Sequence, residues 1–145
     1  MKIECFKIDD SSFISNSHVE RVISKLIKHE KPNLEGEIRF IFINDEYSRK
    51  INKQFLNHDY PTDVLSFPYE SDNQFLEGEV YVNVQQAFEQ ASFYDVDLEE
   101  ELLRLVIHGT LHLLGDKDST STERERMREK EDNYLKKFEF KRKEL

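Results

Sequence analysis

Apolar and polar positions alternate from Lys2 to Phe6, which predicts a first strand over residues 2–8. From Ser15 to Glu30 the pattern changes. Val19, Val22, Ile23, Leu26 and Ile27 return at helical spacing, and Pro32 and Gly36 end that helix. EIRFIFIN (37–44) reads as a buried second strand. Asn44 is placed to cap a helix running to about Asn57, with Asp45 and Glu46 favourable against its dipole. A short extended run, Asp63 to Phe67, lies between Pro61 and Pro68, as suits an edge strand. Residues 73–78 are turn-like, 79–84 (EVYVNV) alternate as a fourth strand, and 85–94 read as helix.

The strongest apolar signal follows. Asp97 opens a helix with Glu100 three residues on, a capping-box arrangement. Leu102, Leu103, Leu105, Val106, Ile107, Leu111, Leu113 and Leu114 then cover nearly its whole circumference, so the helix is buried. Gly115 supplies its stop. Thr120 with Glu123 marks the next helix start, and Met127, Tyr134, Leu135 and Phe138 give that helix an apolar stripe. The expected fold is α+β: a single domain over 1–145, a mixed sheet of about four strands, and four or five packed helices. No repeat or long linker interrupts it.

Composition narrows the function classes. The chain has 145 residues, 37% hydrophobic and 35% charged, and eleven Phe and six Tyr supply bulk for a modest core. The net charge of −9 excludes nucleic-acid binding through a global field and leaves only local cationic patches. Residues 121–145 are mildly basic, with nine Lys or Arg against seven acids. Arg124, Arg126, Arg128 and Lys130 alternate with Glu123, Glu125, Glu129 and Glu131, the pattern of a self-paired, solvated surface. Lys136, Lys137, Lys141, Arg142 and Lys143 make a better RNA or ribosome contact. One cysteine, Cys5, rules out a disulfide framework and thiolate zinc sites. With no signal-like or membrane-length apolar run, a cytoplasmic location without membrane contact is expected.

The candidate chemistry lies in VIHGTLHLLGDKD (106–118). His108 and His112 project from one helical face about 6 Å apart along the axis, a spacing that lets two imidazoles meet one ion. Hydrogen bonding to neighbours would account for one such ring in an apolar helix. A pair needs a shared explanation. The turn at Gly115 then lets a carboxylate approach from outside the helix, and spacing alone leaves Asp116 and Asp118 open. Two His and one carboxylate leave a tetrahedral zinc one open position, the catalytic pattern, where the ion acidifies water and polarises a carbonyl or phosphoryl oxygen. A zinc peptidase would place its glutamate base after the first histidine. Here that position is Gly109, which argues against peptidase chemistry.

These residues resemble the YbeY family, the bacterial endoribonucleases of ribosomal RNA maturation. The resemblance rests on HGTLHLLG (108–115), on INKQFLNHDYPTDVLSFPYE (51–70) and on LEGEVYVNV (76–84), in that order. It implies that His108, His112 and the residue at 118 bind one zinc ion. The family usually carries a third histidine there; this chain has Asp118, an anionic ligand that also suits iron, manganese or nickel. Where the family commonly has Tyr-Arg before its P-T motif, this chain has Phe55 and Leu56, so an arginine's phosphate contact does not transfer; Lys53 is a neighbouring cation.

The resemblance further implies a metal-dependent, single-strand-specific endoribonuclease in 16S ribosomal RNA 3′-end maturation and ribosome quality control. Its partners would be ribosomal RNA and the small ribosomal subunit. No general base is identifiable. In the P-T-D-V-L-S-F-P segment, Val64, Leu65 and Phe67 are expected in the core, with Thr62 and Asp63 meeting backbone donors at the strand start. Alternatively, Ser66 and the local backbone line a cleft opposite the metal. Two rival functions remain: an assembly factor with a structural metal and weak or indirect cleavage, and a metallohydrolase of another substrate. A non-haem iron oxygenase is disfavoured by the lack of barrel patterning.

Overall fold

Nine elements follow one another: β1 (Lys2–Lys7), α1 (Asn16–Glu30), β2 (Glu35–Ile43), α2 (Asp45–Leu56), β3 (Val64–Ser71), β4 (Phe75–Asn83), α3 (Val84–Tyr94), α4 (Leu98–Leu113) and α5 (Ser121–Lys143). They come from a computed structural model that describes residues 1–7 and 14–143, with side chains as far as Lys137. The strands form one mixed sheet in the order β1-β2-β4-β3. β1, β2 and β4 run parallel, while β3 pairs antiparallel with β4 at the edge. The expected α+β class, strand number and helix number all hold.

Alternation along the strands decides which face is covered. Ile38, Phe40, Val80 and Val82 point to one face, fully buried beneath α1 and α4. Arg39 and Glu79 point to the other, where the guanidinium bridges Glu37, Glu77 and Glu79 at 3.1–3.4 Å. The buried α4 is the hub, packing on β3, β4, α1, α3 and α5. Leu102, Leu103, Ile107 and Leu111 are at most 1% exposed, and each such side chain contributes about 1.5–3 kcal/mol by burial. That anchorage fixes whatever α4 presents at its less covered face.

Helix starts divide by whether a partner is in reach. Asn44 accepts from the Tyr47 amide as expected. Thr120 and Glu123 form a full capping box, each side chain accepting the other's backbone N–H at 3.0–3.1 Å. Asp97 stands at the N-cap of α4 without a side-chain cap bond, so the expected box with Glu100 does not form.

Two strand expectations are corrected. β4 begins at Phe75, so most of the turn-like stretch 73–78 is strand. The turn is confined to residues around Asp72, whose carboxylate accepts from the Gln74 and Phe75 amides. Gly78 misleads because it serves packing, not turning: a Cβ there would lie 2.9 Å from a Leu113 methyl. β3 also extends to Ser71, past Pro68, because Pro68 sits at a register shift on the edge. In β3 only Val64 joins the core, while Leu65 and Phe67 are half-buried and Phe67 packs against Phe55 and Tyr81. The Phe138 side chain and those of Lys141, Arg142 and Lys143 lie outside the described residues. Among the described residues, no helix is long and apolar enough to cross a membrane.

Candidate metal centre

Three donor groups converge where α4 ends. The Nε2 atoms of His108 and His112 stand 3.1 Å apart, and Asp118 Oδ2 lies 3.4 Å from the first and 3.2 Å from the second. Tetrahedral coordination with bonds of about 2.0–2.1 Å sets neighbouring ligand atoms about 3.3 Å apart. The triangle has that size, and the three residues could hold a metal ion. All three side chains are partly exposed, at 23%, 29% and 39%, so one side of the triangle faces solvent. A closed structural site would instead surround the ion with four protein ligands.

The local sequence explains how Asp118 arrives. Gly115 takes a φ of +104°, which a side chain rarely adopts, and reverses the chain at the end of α4. The Asp116 amide donates to the Leu111 carbonyl across the turn. The Asp116 carboxylate is then drawn outward to Lys130 Nζ at 2.8 Å, and Lys130 also holds Glu30 at 2.8 Å. Asp118 is thereby left facing the histidines. Of the two carboxylates that spacing left open, only Asp118 joins them. Lys130 is the corresponding correction on α5: it binds Glu30 and Asp116, not its helical neighbours.

Glu131 is the important residue that reading α5 as a solvated surface misses. It is 6% exposed and accepts from His108 Nδ1 at 2.6 Å and Arg104 Nη1 at 3.0 Å. The Nδ1–H bond to Glu131 leaves the His108 Nε2 lone pair free to face the triangle. Burial lowers the His108 pKa, but Glu131 and Asp118 outweigh it and the net direction is upward. A signal was present: Met127, Glu131, Tyr134 and Leu135 fall at i, i+4, i+7 and i+8, which puts a carboxylate within the apolar stripe. Glu131→Gln keeps the shape and removes the charge. Metal affinity is expected to fall about tenfold, the low end of the 10–100-fold typical of such supporting contacts. Competition against a chromophoric chelator measures it; an unchanged affinity would refute the orienting role.

β3 forms the opposite wall. A cleft of about 490 Å³ runs between Thr62–Ser66 and the triad, as expected if Ser66 and its backbone line it. Ser66 Oγ donates to the Gly109 carbonyl at 2.9 Å, tying the strand to α4 between the histidines. Gly109 itself permits the close approach: a Cβ there would lie 2.4 Å from Val80 Cγ1. The β3 entry differs in detail from expectation. The Asp63 carboxylate accepts from the Gln90 side chain, not from a backbone donor. Leu56 ends α2 exposed, and Lys53 is also exposed.

Comparison with known proteins gives consistent matches. The family model described as "Endoribonuclease YbeY" matches residues 4–139. A Flavobacterium psychrophilum protein named endoribonuclease YbeY is 40% identical over 136 residues, covering 94% of this chain and 95% of that one. One of the same name from Flavobacterium johnsoniae is 43% identical over 116 residues, covering 80% and 82%. A Thermotoga maritima protein solved in solution superposes with a TM-score of 0.66 at 29% identity, covering 98% of this chain and 92% of that one.

Proposed function

The chain belongs to the endoribonuclease YbeY family, and from that membership we propose that it is a zinc-dependent endoribonuclease cutting single-stranded RNA in the cytoplasm. Its place would be 16S ribosomal RNA 3′-end maturation and ribosome quality control, with the small ribosomal subunit as partner. The observation that carries the reading is the open-sided triangle of His108, His112 and Asp118 at the floor of a cleft walled by an edge strand. His108, His112 and Asp118 would hold the ion, and two imidazoles with one carboxylate suit zinc. When bound there, zinc supplies Lewis acidity toward a phosphoryl oxygen and lowers the pKa of water.

The chain's own residues provide the rest. Glu131 fixes the His108 ring, Ser66 fixes β3 against α4, and the β3 edge gives an extended strand of RNA a wall to lie along. Arg124 and Arg128 line the α5 side of the neighbouring cleft, giving local cations that the net charge of −9 does not. Arg124 is held by the Asp118 and Ser119 carbonyls, so its charge is not cancelled by those contacts.

The test is cleavage of a labelled single-stranded RNA by the purified chain, before and after chelation, with zinc, manganese, nickel or ferrous ion restored singly. Chelation is expected to abolish cleavage and zinc to restore it, with a duplex of the same sequence resisting. Full cleavage after verified metal removal would sink the metal-dependent reading. Restoration by manganese or iron and not zinc would overturn the assignment of the ion alone.

A further inference from the structure

A second cleft of about 380 Å³ opens beside the triad, bounded by the end of α3, the middle of α4 and the start of α5. His108 and Asp118 belong to its wall as well, so it is continuous with the candidate metal centre. Its inner wall is acidic. Asp63, Glu100, Glu101 and Glu131 all line it, and Arg104 is occupied by Glu131 and Asp132 at 3.0 and 2.7 Å. Such a wall repels a phosphate. What it accepts is a neutral group rich in N–H donors.

Glu101 makes the demand specific. It is only 4% exposed, and its Oε2 has no hydrogen-bond partner. A buried carboxylate oxygen without a donor is unfavourable, and this one is closed to solvent, so turning the side chain toward the cleft lets a donor-bearing ligand satisfy it. Burial raises the Glu101 pKa, Arg104 offsets part of that, and nearby acids add to it. At the rim, Tyr94 is 58% exposed and meets Phe93 edge to face at 5.1 Å. An exposed ring at a cleft mouth is a stacking surface for a base. Arg124 and Arg128 stand on the α5 side, where backbone phosphates would run.

We propose that this cleft is a guanine subsite, holding the base next to the cut phosphate with Tyr94 stacked on it and Glu101 reading its Watson–Crick edge. The proposal rests on the endoribonuclease reading and deepens it. Guanine is selected because its N1–H and N2–H donors are parallel and match the two oxygens of one carboxylate. Adenine and cytosine each offer one amino group there, and uracil a single N–H. Seven residues along α4 place Glu101 on the same face as His108, about 10 Å away along the axis. That is the reach from a backbone phosphate to the base of the adjoining nucleotide.

Two measurements on the metal-loaded full chain test this. In the first, guanosine, inosine and adenosine 5′-monophosphates are titrated and followed by NMR shifts; their common phosphate cancels any contact with the metal. Wild type is expected to bind the guanosine form about tenfold or more tightly than the inosine form, which lacks the 2-amino donor. Glu101→Gln should erase that ratio, because its amide oxygen takes the N1–H that both bases share and its amide N–H then opposes the 2-amino group. Tyr94→Ala should weaken all three together. Equal binding of the guanosine and inosine forms by the unaltered protein would overturn the proposal without depending on any variant's folding. In the second, oligouridine carrying one guanosine is cleaved. Cuts are expected beside the guanosine in wild type and at no preferred site in Glu101→Gln; a preference unchanged in that variant would also overturn the proposal. Guanosine-selective binding without RNA cleavage would support the base subsite and strike the nuclease reading. Cleavage without base selectivity would do the reverse.

Discussion

His112→Ala is expected to remove RNA cleavage and to weaken metal binding by more than about 100-fold, while leaving the fold in place. Supporting contacts such as Glu131 are typically worth 10–100-fold in affinity, and a direct ligand must exceed its own support. With His112 gone, His108 Nε2 and Asp118 Oδ2 remain 3.4 Å apart, a two-donor site with no third corner. The fold should tolerate the change. His112 is 29% exposed and sits at the end of α4, whose anchorage is supplied by Leu102, Leu103, Ile107 and Leu111. Alanine is also a strong helix former.

The measurement needs three readings on one sample: circular dichroism for the fold, chelator competition for affinity, and a labelled single-stranded RNA for cleavage. Retained cleavage in a folded, metal-depleted variant would refute the catalytic role of the triad. Lost metal with unchanged processing of precursor ribosomal RNA would favour an assembly factor whose ion is structural. The contrast with Glu131→Gln adds a graded control, since that variant should bind metal weakly and recover cleavage as metal concentration rises. His112→Ala should not recover over the same range.

Much of this site was legible from residue spacing, and the parts that were not share a cause. The two histidines follow from the helical period alone. The choice between Asp116 and Asp118 does not, because it depends on Lys130, which α5 brings alongside the turn. Glu131 and Glu101 were hidden among charges that sequence patterning treats as solvated. Their burial is set by α4 packing on α5 and α3, contacts between successive helices that the pattern within any one helix does not show. The fold shows the same division. Asn44, Thr120 and Gly115 act within their own turns and were readable. The start of β4 was not, since Gly78 signals a turn locally and a Leu113 contact in three dimensions. Local chemistry is written in the sequence, whereas selection among equivalent local options is made by packing.

Packing also decides the largest expected loss of stability, at Gly36 near the start of β2. This residue has a φ of +131°, and a Cβ built on it would lie 1.9 Å from the Leu76 carbonyl oxygen of β4. Backbone offers no rotamer to move aside. Gly36→Ala must therefore part β2 from β4 at their paired residues Gly36 and Leu76, or force a new backbone conformation there. Strained backbone costs about 1–3 kcal/mol and overpacking a further 1–3, so a loss of about 2–6 kcal/mol is expected. Gly109→Ala is the informative comparison. Its Cβ meets Val80 Cγ1 at 2.4 Å, a side-chain contact, and alanine regains about 1 kcal/mol of helix propensity. A net loss of about 0–2 kcal/mol is expected there. Urea unfolding of the metal-free proteins should rank Gly36→Ala well below Gly109→Ala. The opposite ranking would mean that the α4–β4 contact resists displacement more than the paired strands do. Gly109→Ala would then disturb the fold together with the wall of the metal cleft, and its metal affinity should fall along with its stability.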